Sequence, residues 1–551
     1  FTKAARAYAA EKKDEGESWR NAGLGFYNAA YKLVKAIDAD ATGKPEIARK
    51  WREAAEQQER SVEPYIQSAK AYSKGKAMEG KSWYDAGNGF YNAAEKLAKA
   101  IDAESAGKPE VARKWSEAAE QQALSVEPYT QSAKAYAKGK KMEGQNWHDA
   151  GNGFYNAAEK KEQVIASDAA GKLEVTLKWC EAADRQVDSV ELFTKAARAY
   201  AAEKKDEGES WRNAGLGFYN AAYKLVKAID ADATGKPEIA RKWSEAAEQQ
   251  ALSVEPYTQS AKAYAAGKKS EGKSWDLAGK SLQAKVDYQV KAIEAEKTEK
   301  TQLAAGYREA AATSQRAADQ GKQAAQTKAA GKDSEGDSWH WEGKSLQAVA
   351  DYQAKASEAQ EAGKTELSAV YLESATTSQR AADQLKQAAQ SKASVKRSES
   401  NSWHWEGKSL QAVADYQAKA SEAQEAKKAM LAEGYREAAA TSQRAADQWE
   451  LSAQTMVSGK MNEGMSYGYE GSSLQAVADY QAKASEAQEA GKTMLAEGYR
   501  EAAATSQRAA DQYKQSALAN AAGNSSEDTR LFNAGKTTQA EADAIVKRAG
   551  G

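Results

Sequence analysis

Apolar residues return along this chain four and three positions apart, the spacing of one face of an α-helix. Trp51, Ala55, Gln58, Val62, Tyr65, Ala69 and Tyr72 form one such stripe, and Trp19, Ala22, Gly23, Phe26, Ala30, Leu33 and Ile37 form another. Lys, Glu, Asp and Gln occupy the remaining faces. Each stripe predicts a single long amphipathic helix of about 26 residues, some 39 Å in length. The stripes are rich in Ala and Gly, so neighbouring helices can approach closely while aromatic rings fill the gaps between layers.

The tryptophans show that the helices are copies. Trp19, Trp51, Trp83, Trp115, Trp147, Trp179, Trp211, Trp243 and Trp275 are each 32 residues apart, and the phase continues through Tyr307, Trp339, Tyr371, Trp403, Tyr435, Tyr467 and Tyr499. Two kinds of 32-residue unit alternate. Odd units read like "SWRNAGLGFYNAAYKLVKAIDADATGK" and even units like "PEIARKWREAAEQQERSVEPYIQSAKAYSKGK". The full repeat is therefore 64 residues. Residues 1–51 recur unchanged at 193–243, and "SLQAVADYQAKASEAQEA" occurs three times. A fixed period without insertions predicts an all-α fold, an α-solenoid of 64-residue antiparallel helical hairpins.

"GKAMEGKS" (Gly75–Ser82) and "GKKSEGKS" (Gly267–Ser274) match the G-x-x-x-x-G-K-S signature of a phosphate-binding loop. Their position in the period gives them another meaning. Of seventeen unit boundaries from residue 11 to residue 523, twelve carry Gly, and Lys follows at all but one, where Asn524 stands. Gly just past a helix end closes the last turn, and Lys there offsets the negative end of the helix dipole. Pro45, Pro109 and Pro237 then take the first position of the next helix. The Ser of "EGKSW" is expected to cap the Trp-bearing helix. A phosphate-binding loop needs a strand before it, and here a helix precedes.

Composition agrees with helices and narrows the function classes. Lys and Arg total 78 against 79 Asp and Glu, a net charge of -1 that speaks against nucleic-acid or anionic-membrane partners. No stretch approaches the ~18 apolar residues of a membrane-spanning helix. The single Cys180 excludes an intrachain disulfide and is expected to be a free thiol.

Candidate chemistry is thin. His148, His340 and His404 share one phase, too far apart for one metal ion, and read as surface residues near helix starts. "SWHWEGKS" pairs Trp339 with Trp341 and Trp403 with Trp405; the second Trp is expected to bury against the adjacent repeat. Acids such as those of "DEGES" (Asp14–Ser18) read as solvated helix-start charges. Pro64, Pro128 and Pro256 should kink or divide the even helix near "SVEP", where Ser and Glu could cap a restart. No catalytic, cofactor-binding or metal-binding residue is assigned, no cofactor is expected, and the chain does not read as an enzyme.

The first odd units carry W-x-x-A-G-x-x-F, as in Trp19, Ala22, Gly23 and Phe26. This resembles the first helix of a tetratricopeptide repeat, over eight residues in each 64. The resemblance implies helical-hairpin packing and a concave protein-binding groove. Tetratricopeptide repeats have a period near 34, whereas "AAYKLVKAIDA" runs on here without a breaker.

Around residue 273 the odd unit switches from "GFYNAA" to "KSLQA". Three segments are expected: sub-arrays at 1–272 and 273–512, and a degenerate capping repeat at 513–551, where Leu346, Val349 and Tyr352 have become Thr538, Glu541 and Ala544. Phe1 falls in mid-helix phase, which suggests that the array continues upstream or that the chain is cut at the kink. These features favour a structural protein, a segment of a longer repetitive chain that self-assembles into a filament, rod or tube. An extracellular or cell-surface fibre is preferred over a cytoplasmic one. The alternative is a solenoid scaffold that binds a peptide or protein.

Overall fold

The computed structural model describes residues 1–393 and 397–550; Val395 and Lys396, one of the seventeen boundaries, lie outside the described residues. The fold is an all-α solenoid of repeated helices, with no strand among the described residues. Contacts divide it into two compact units, Phe1–Gly267 and Lys268–Gly551.

The first unit begins with α1 (Thr2–Ala9), α2 (Lys13–Ala41), α3 (Pro45–Arg60), α4 (Val62–Ser73), α5 (Ala77–Ser105) and α6 (Pro109–Leu124). It continues with α7 (Val126–Ala137), α8 (Lys141–Ala169), α9 (Leu173–Ala201), α10 (Lys205–Ala233), α11 (Pro237–Leu252) and α12 (Val254–Ala265). The second unit holds α13 (Lys269–Lys297), α14 (Thr301–Ala329), α15 (Asp333–Glu361), α16 (Thr365–Ala393) and α17 (Arg397–Glu425). After these come α18 (Ala429–Val457), α19 (Met461–Glu489), α20 (Thr493–Ala521) and α21 (Ser525–Arg548).

Unbroken helices run 29 residues, longer than the stripes predict, because each boundary uses only three residues. At the boundary after α4, Gly75 has φ +72°. Its N–H bonds the carbonyl of Tyr72 at 2.9 Å, and the N–H of Lys76 bonds that of Ala71 at 3.1 Å. This is the double bond of a Schellman close, and the next helix starts at Ala77. Gly267 is likewise left-handed, with φ +76°. Both phosphate-loop look-alikes are thus helix ends.

The expected Ser cap is not formed. Ser82 lies well inside α5, fully buried, and its Oγ meets Ser132 Oγ at 2.9 Å. The immediate restart after Gly-Lys leaves Lys76 in the capping position, with no side-chain bond to the helix N–H groups.

Four boundaries hold a side chain in the left-handed region: Glu11, Glu203, Glu299 and Lys427, at φ 57–60°. That conformation costs an L-residue about 1–2 kcal/mol. Glu299→Gly should therefore stabilise the second unit by about 1 kcal/mol in urea unfolding. A neutral or negative change would mean the Glu side chain makes a contact worth as much.

Proline interrupts the hydrogen-bond ladder of the even helix at Ser61, which keeps helical dihedrals, φ −67° and ψ −22°. Ser61 separates α3 from α4, and its N–H bonds the carbonyl of Gln58 in a tightened turn at 3.3 Å. Pro64 has no N–H to return to Arg60. In α9 the matching position is Leu192, and that helix is continuous. Ser61 does not cap the restart either: its Oγ donates back to the Gln58 carbonyl at 2.7 Å.

The even stripe packs as its sequence suggests, with Trp51, Ala55, Gln58, Val62, Tyr65 and Ala69 buried. The odd helix has two working faces. One is a seam of small and polar residues at four-three spacing, Ser18, Ala22, Gly25, Ala29, Lys32, Ala36 and Ala39. It faces the following even helix; a Cβ on Gly25 would lie 2.8 Å from Val62. The large residues, Phe26, Leu33 and Ile37, belong to a second face turned toward the preceding repeat. On α10 the equivalents Leu225 and Ile229 are buried there. At α21, Glu541 and Ala544 are exposed where Val349 and Tyr352 are buried.

Candidate functional site

Side chains with chemical potential are gathered most densely along one phase of the second unit. Two serines near the starts of α13 and α15 sit opposite the His of the next odd helix. Ser274 Oγ lies 3.2 Å from His340 Nδ1, and Ser338 Oγ lies 3.0 Å from His404 Nδ1. Lys392 Nζ also donates to Ser338 Oγ at 3.1 Å. The two histidines are therefore enclosed between helices, not on the surface as their helix-start phase suggests. Burial, reinforced by the neighbouring lysines, lowers the pKa of both to about 3, so each stands neutral at pH 7.

In the first unit His148 is also enclosed, its side chain 12% exposed. Its Nε2 lies 2.9 Å from Asp85 Oδ2, and the ring meets Tyr129 edge-on.

Two residues beyond each of the second-unit histidines stands a buried glutamate. Burial raises Glu342 to about 7 and Glu406 to about 8, and Glu470, one repeat further on, to about 7. Arg316, Lys386 and Asp383 surround Glu342, whereas Glu406 has Glu450 in the place of Lys386, together with Arg380 and Asp447. The like charge of Glu450 adds to burial and explains the higher value at Glu406.

Trp341 is half-buried, whereas Trp405 is 42% exposed and does not bury as expected. Trp405 stacks on Trp449 of α18, with centroids 6.1 Å apart. Lys408 lies 4.0 Å over Trp405 and 4.6 Å over Trp341, and Lys344 lies 4.1 Å over Trp341. The faces of both rings are thus met by the chain's own lysines.

These groups recur at 64-residue intervals and do not converge. Among the described residues no three His, Cys, Asp or Glu side chains come together as metal ligands would. Cys180 is a half-buried free thiol whose pKa is raised by burial. Asp14 and Glu15 occupy the first turn of α2 as helix-start charges. No known protein family, curated protein or solved structure matches the chain. The tetratricopeptide-like residues Trp19, Ala22, Gly23 and Phe26 sit in a helix of 29 residues.

The sequence reading passed over the polar ladders that join repeats. Lys32 is 3% exposed; its Nζ donates to Gln58 Oε1 at 3.0 Å and pairs with Glu95 at 2.6 Å. Lys96 repeats the bond to Gln122 and pairs with Glu162, three positions beyond the equivalent of Glu95. In the second unit Tyr288, Tyr352, Tyr416 and Tyr480 donate to Asp351, Asp415, Asp479 and Asp543, each 63 residues on, at 2.7–3.0 Å. Exact recurrence of Lys32 and Lys96 within the odd unit was the available signal. No helix among the described residues is long and apolar enough to cross a membrane.

Proposed function

We propose that the protein is structural, an α-solenoid whose regular repeats self-associate into a filament, rod or tube. The supporting observation is where its polar chemistry goes. Tyrosine hydroxyls bond the next repeat at a constant offset of 63 residues, serine pairs 50 residues apart join the two helices of one repeat, and buried lysines reach a glutamate of the next repeat, rather than meeting at one pocket. Identical units also present identical surfaces at regular intervals, which favours repeated contacts between copies. In this reading the chain is not an enzyme, binds no cofactor, metal or nucleic acid, and has copies of itself as its main partner.

Light scattering of purified protein over a hundredfold concentration range tests this. The mean mass should rise steadily with concentration. A constant monomer mass throughout would overturn self-association.

A further inference from the structure

In the second unit a tyrosine takes the place of the ladder lysine on the odd helix, and another takes the place of the tryptophan on the even helix. Tyr288, Tyr352, Tyr416 and Tyr480 hold the phase of Lys32, and Tyr307, Tyr371, Tyr435 and Tyr499 hold that of Trp51. Each hairpin thus brings two phenols together. Tyr288 stacks with Tyr307, Tyr352 with Tyr371, Tyr416 with Tyr435 and Tyr480 with Tyr499, at 6.2–6.4 Å between centroids and 17–21° between planes.

The hydroxyls of these pairs meet carboxylates. Tyr288 donates to Asp351 at 2.7 Å and Tyr307 to Glu358 at 2.8 Å. The next two pairs repeat this with Asp415 and Glu422, and with Asp479 and Glu486. In the fourth pair Tyr480 donates to Asp543, but Gly550 stands where Tyr499 would find its glutamate. A lysine lies over both rings of each pair; Lys291 is 5.9 Å from the Tyr288 ring and 5.3 Å from that of Tyr307. Its positive charge opposes loss of an electron from either ring unless a proton leaves as well. The carboxylate at each hydroxyl is an acceptor for that proton. A fifth stack supplies a contrast. Tyr469 and Tyr513 are closer, 5.2 Å between centroids, yet neither hydroxyl meets a carboxylate among the described residues.

We propose that the four tyrosine pairs are sites of oxidative cross-linking, where one dityrosine bond joins the odd helix of a hairpin to its even helix. The co-reactant is a one-electron oxidant, such as the high-valent haem of a peroxidase supplied with hydrogen peroxide. Each phenol gives one electron to the oxidant and its hydroxyl proton to the carboxylate. The two radicals then join through one ortho carbon of each ring. The hydrogens on those carbons leave as protons while the oxygens regain theirs, so both phenols are restored. In all, the pair loses two electrons and two protons, and its mass falls by two hydrogens. The first unit has Lys and Trp in these places and forms no such bond. The reaction needs only one chain, so it stands whether or not copies associate.

The test oxidises the full chain with photogenerated tris(bipyridine)ruthenium(III) and persulfate, isolates the monomer on a denaturing gel, and maps linked peptides by mass spectrometry. Links between Tyr288 and Tyr307, Tyr352 and Tyr371, and Tyr416 and Tyr435 are expected to form fastest. The link between Tyr480 and Tyr499 should form more slowly, and that between Tyr469 and Tyr513 slowest of all. Tyr307→Phe should abolish the first link and leave the others. Glu358→Gln still accepts a hydrogen bond but cannot take the proton, and should slow that link severalfold. Both substitutions conserve size, and circular dichroism checks that the helices remain. Absence of the three fast links from the monomer would overturn the proposal. So would a Tyr469–Tyr513 link that forms as fast as those three, or a rate unchanged by Glu358→Gln.

Discussion

Phe193→Ala should destabilise the first unit by about 3–5 kcal/mol, while Phe1→Ala in the duplicate position should cost less than about 1 kcal/mol. Phe193 has no exposed surface, whereas Phe1 is 67% exposed. Phe193 packs with Ala150 and Val190, and with Phe154, Leu216 and Tyr219 at the cluster's edge. A Cβ on Gly215 would lie 2.9 Å from its ring, so the site is tight and the lost ring would leave a cavity. Repeat contacts are nearest-neighbour, and the loss should fall on α8, α9 and α10 rather than on the whole chain. Urea unfolding with hydrogen exchange read helix by helix checks both size and place. Equal effects at the two positions would contradict the packing described.

Stability of the second unit should be greatest at about pH 5, fall on the acid side, and fall on the alkaline side most steeply above about pH 6.5. Burial raises Glu342, Glu406 and Glu470 to about 7, 8 and 7, above their ordinary 4.5. Their contribution is complete below the unfolded value and disappears as pH rises through the folded ones. His340 and His404 shift the other way, from 6.5 to about 3. Their contribution is present above 6.5 and is lost as pH falls toward 3. Only the glutamates act above pH 6.5, and there a loss on the order of a few kcal/mol by pH 8 is expected. Glu406→Gln should flatten part of that alkaline branch, because the amide does not ionise. Urea midpoints measured from pH 4 to pH 9 decide the matter. A flat profile from 6.5 to 8 would mean that these carboxyls are ionised in the folded protein.

Much of the architecture was legible because the repeats vary so little. The constant Trp spacing and the Gly-Lys boundaries located the helices, and Gly75 closes its helix as its position in the period suggests. The packing of the odd helix was less legible. Phe26, Leu33 and Ile37 stand out on any hydrophobic scale and were read as the seam. The tighter seam is built from Ser18, Ala22, Gly25, Ala29 and Lys32, whose side chains are small or polar and carry little hydrophobic signal. The burial of Lys32 depends on Gln58 and Glu95 arriving from two other helices, which no local pattern reveals.

The same limit applies to the chemically loaded phase. His340 and His404 sit seven residues into their helices, where sequence position alone suggests solvent. Their enclosure comes from Ser274 and Ser338, 66 residues earlier, and from helices packed alongside. Trp405 departs in the opposite sense: a Trp is expected to bury, yet stacking on Trp449 under Lys408 holds it with one face partly open. Ser82 has the residue type of a cap, but the three-residue link starts the helix five residues upstream of it.

Negative-stain electron microscopy of the purified chain at rising concentration tests the central claim, that regular repetition serves assembly. The account predicts ordered filaments, rods or tubes that lengthen or multiply with concentration. Discrete single particles of constant size at every concentration would contradict it.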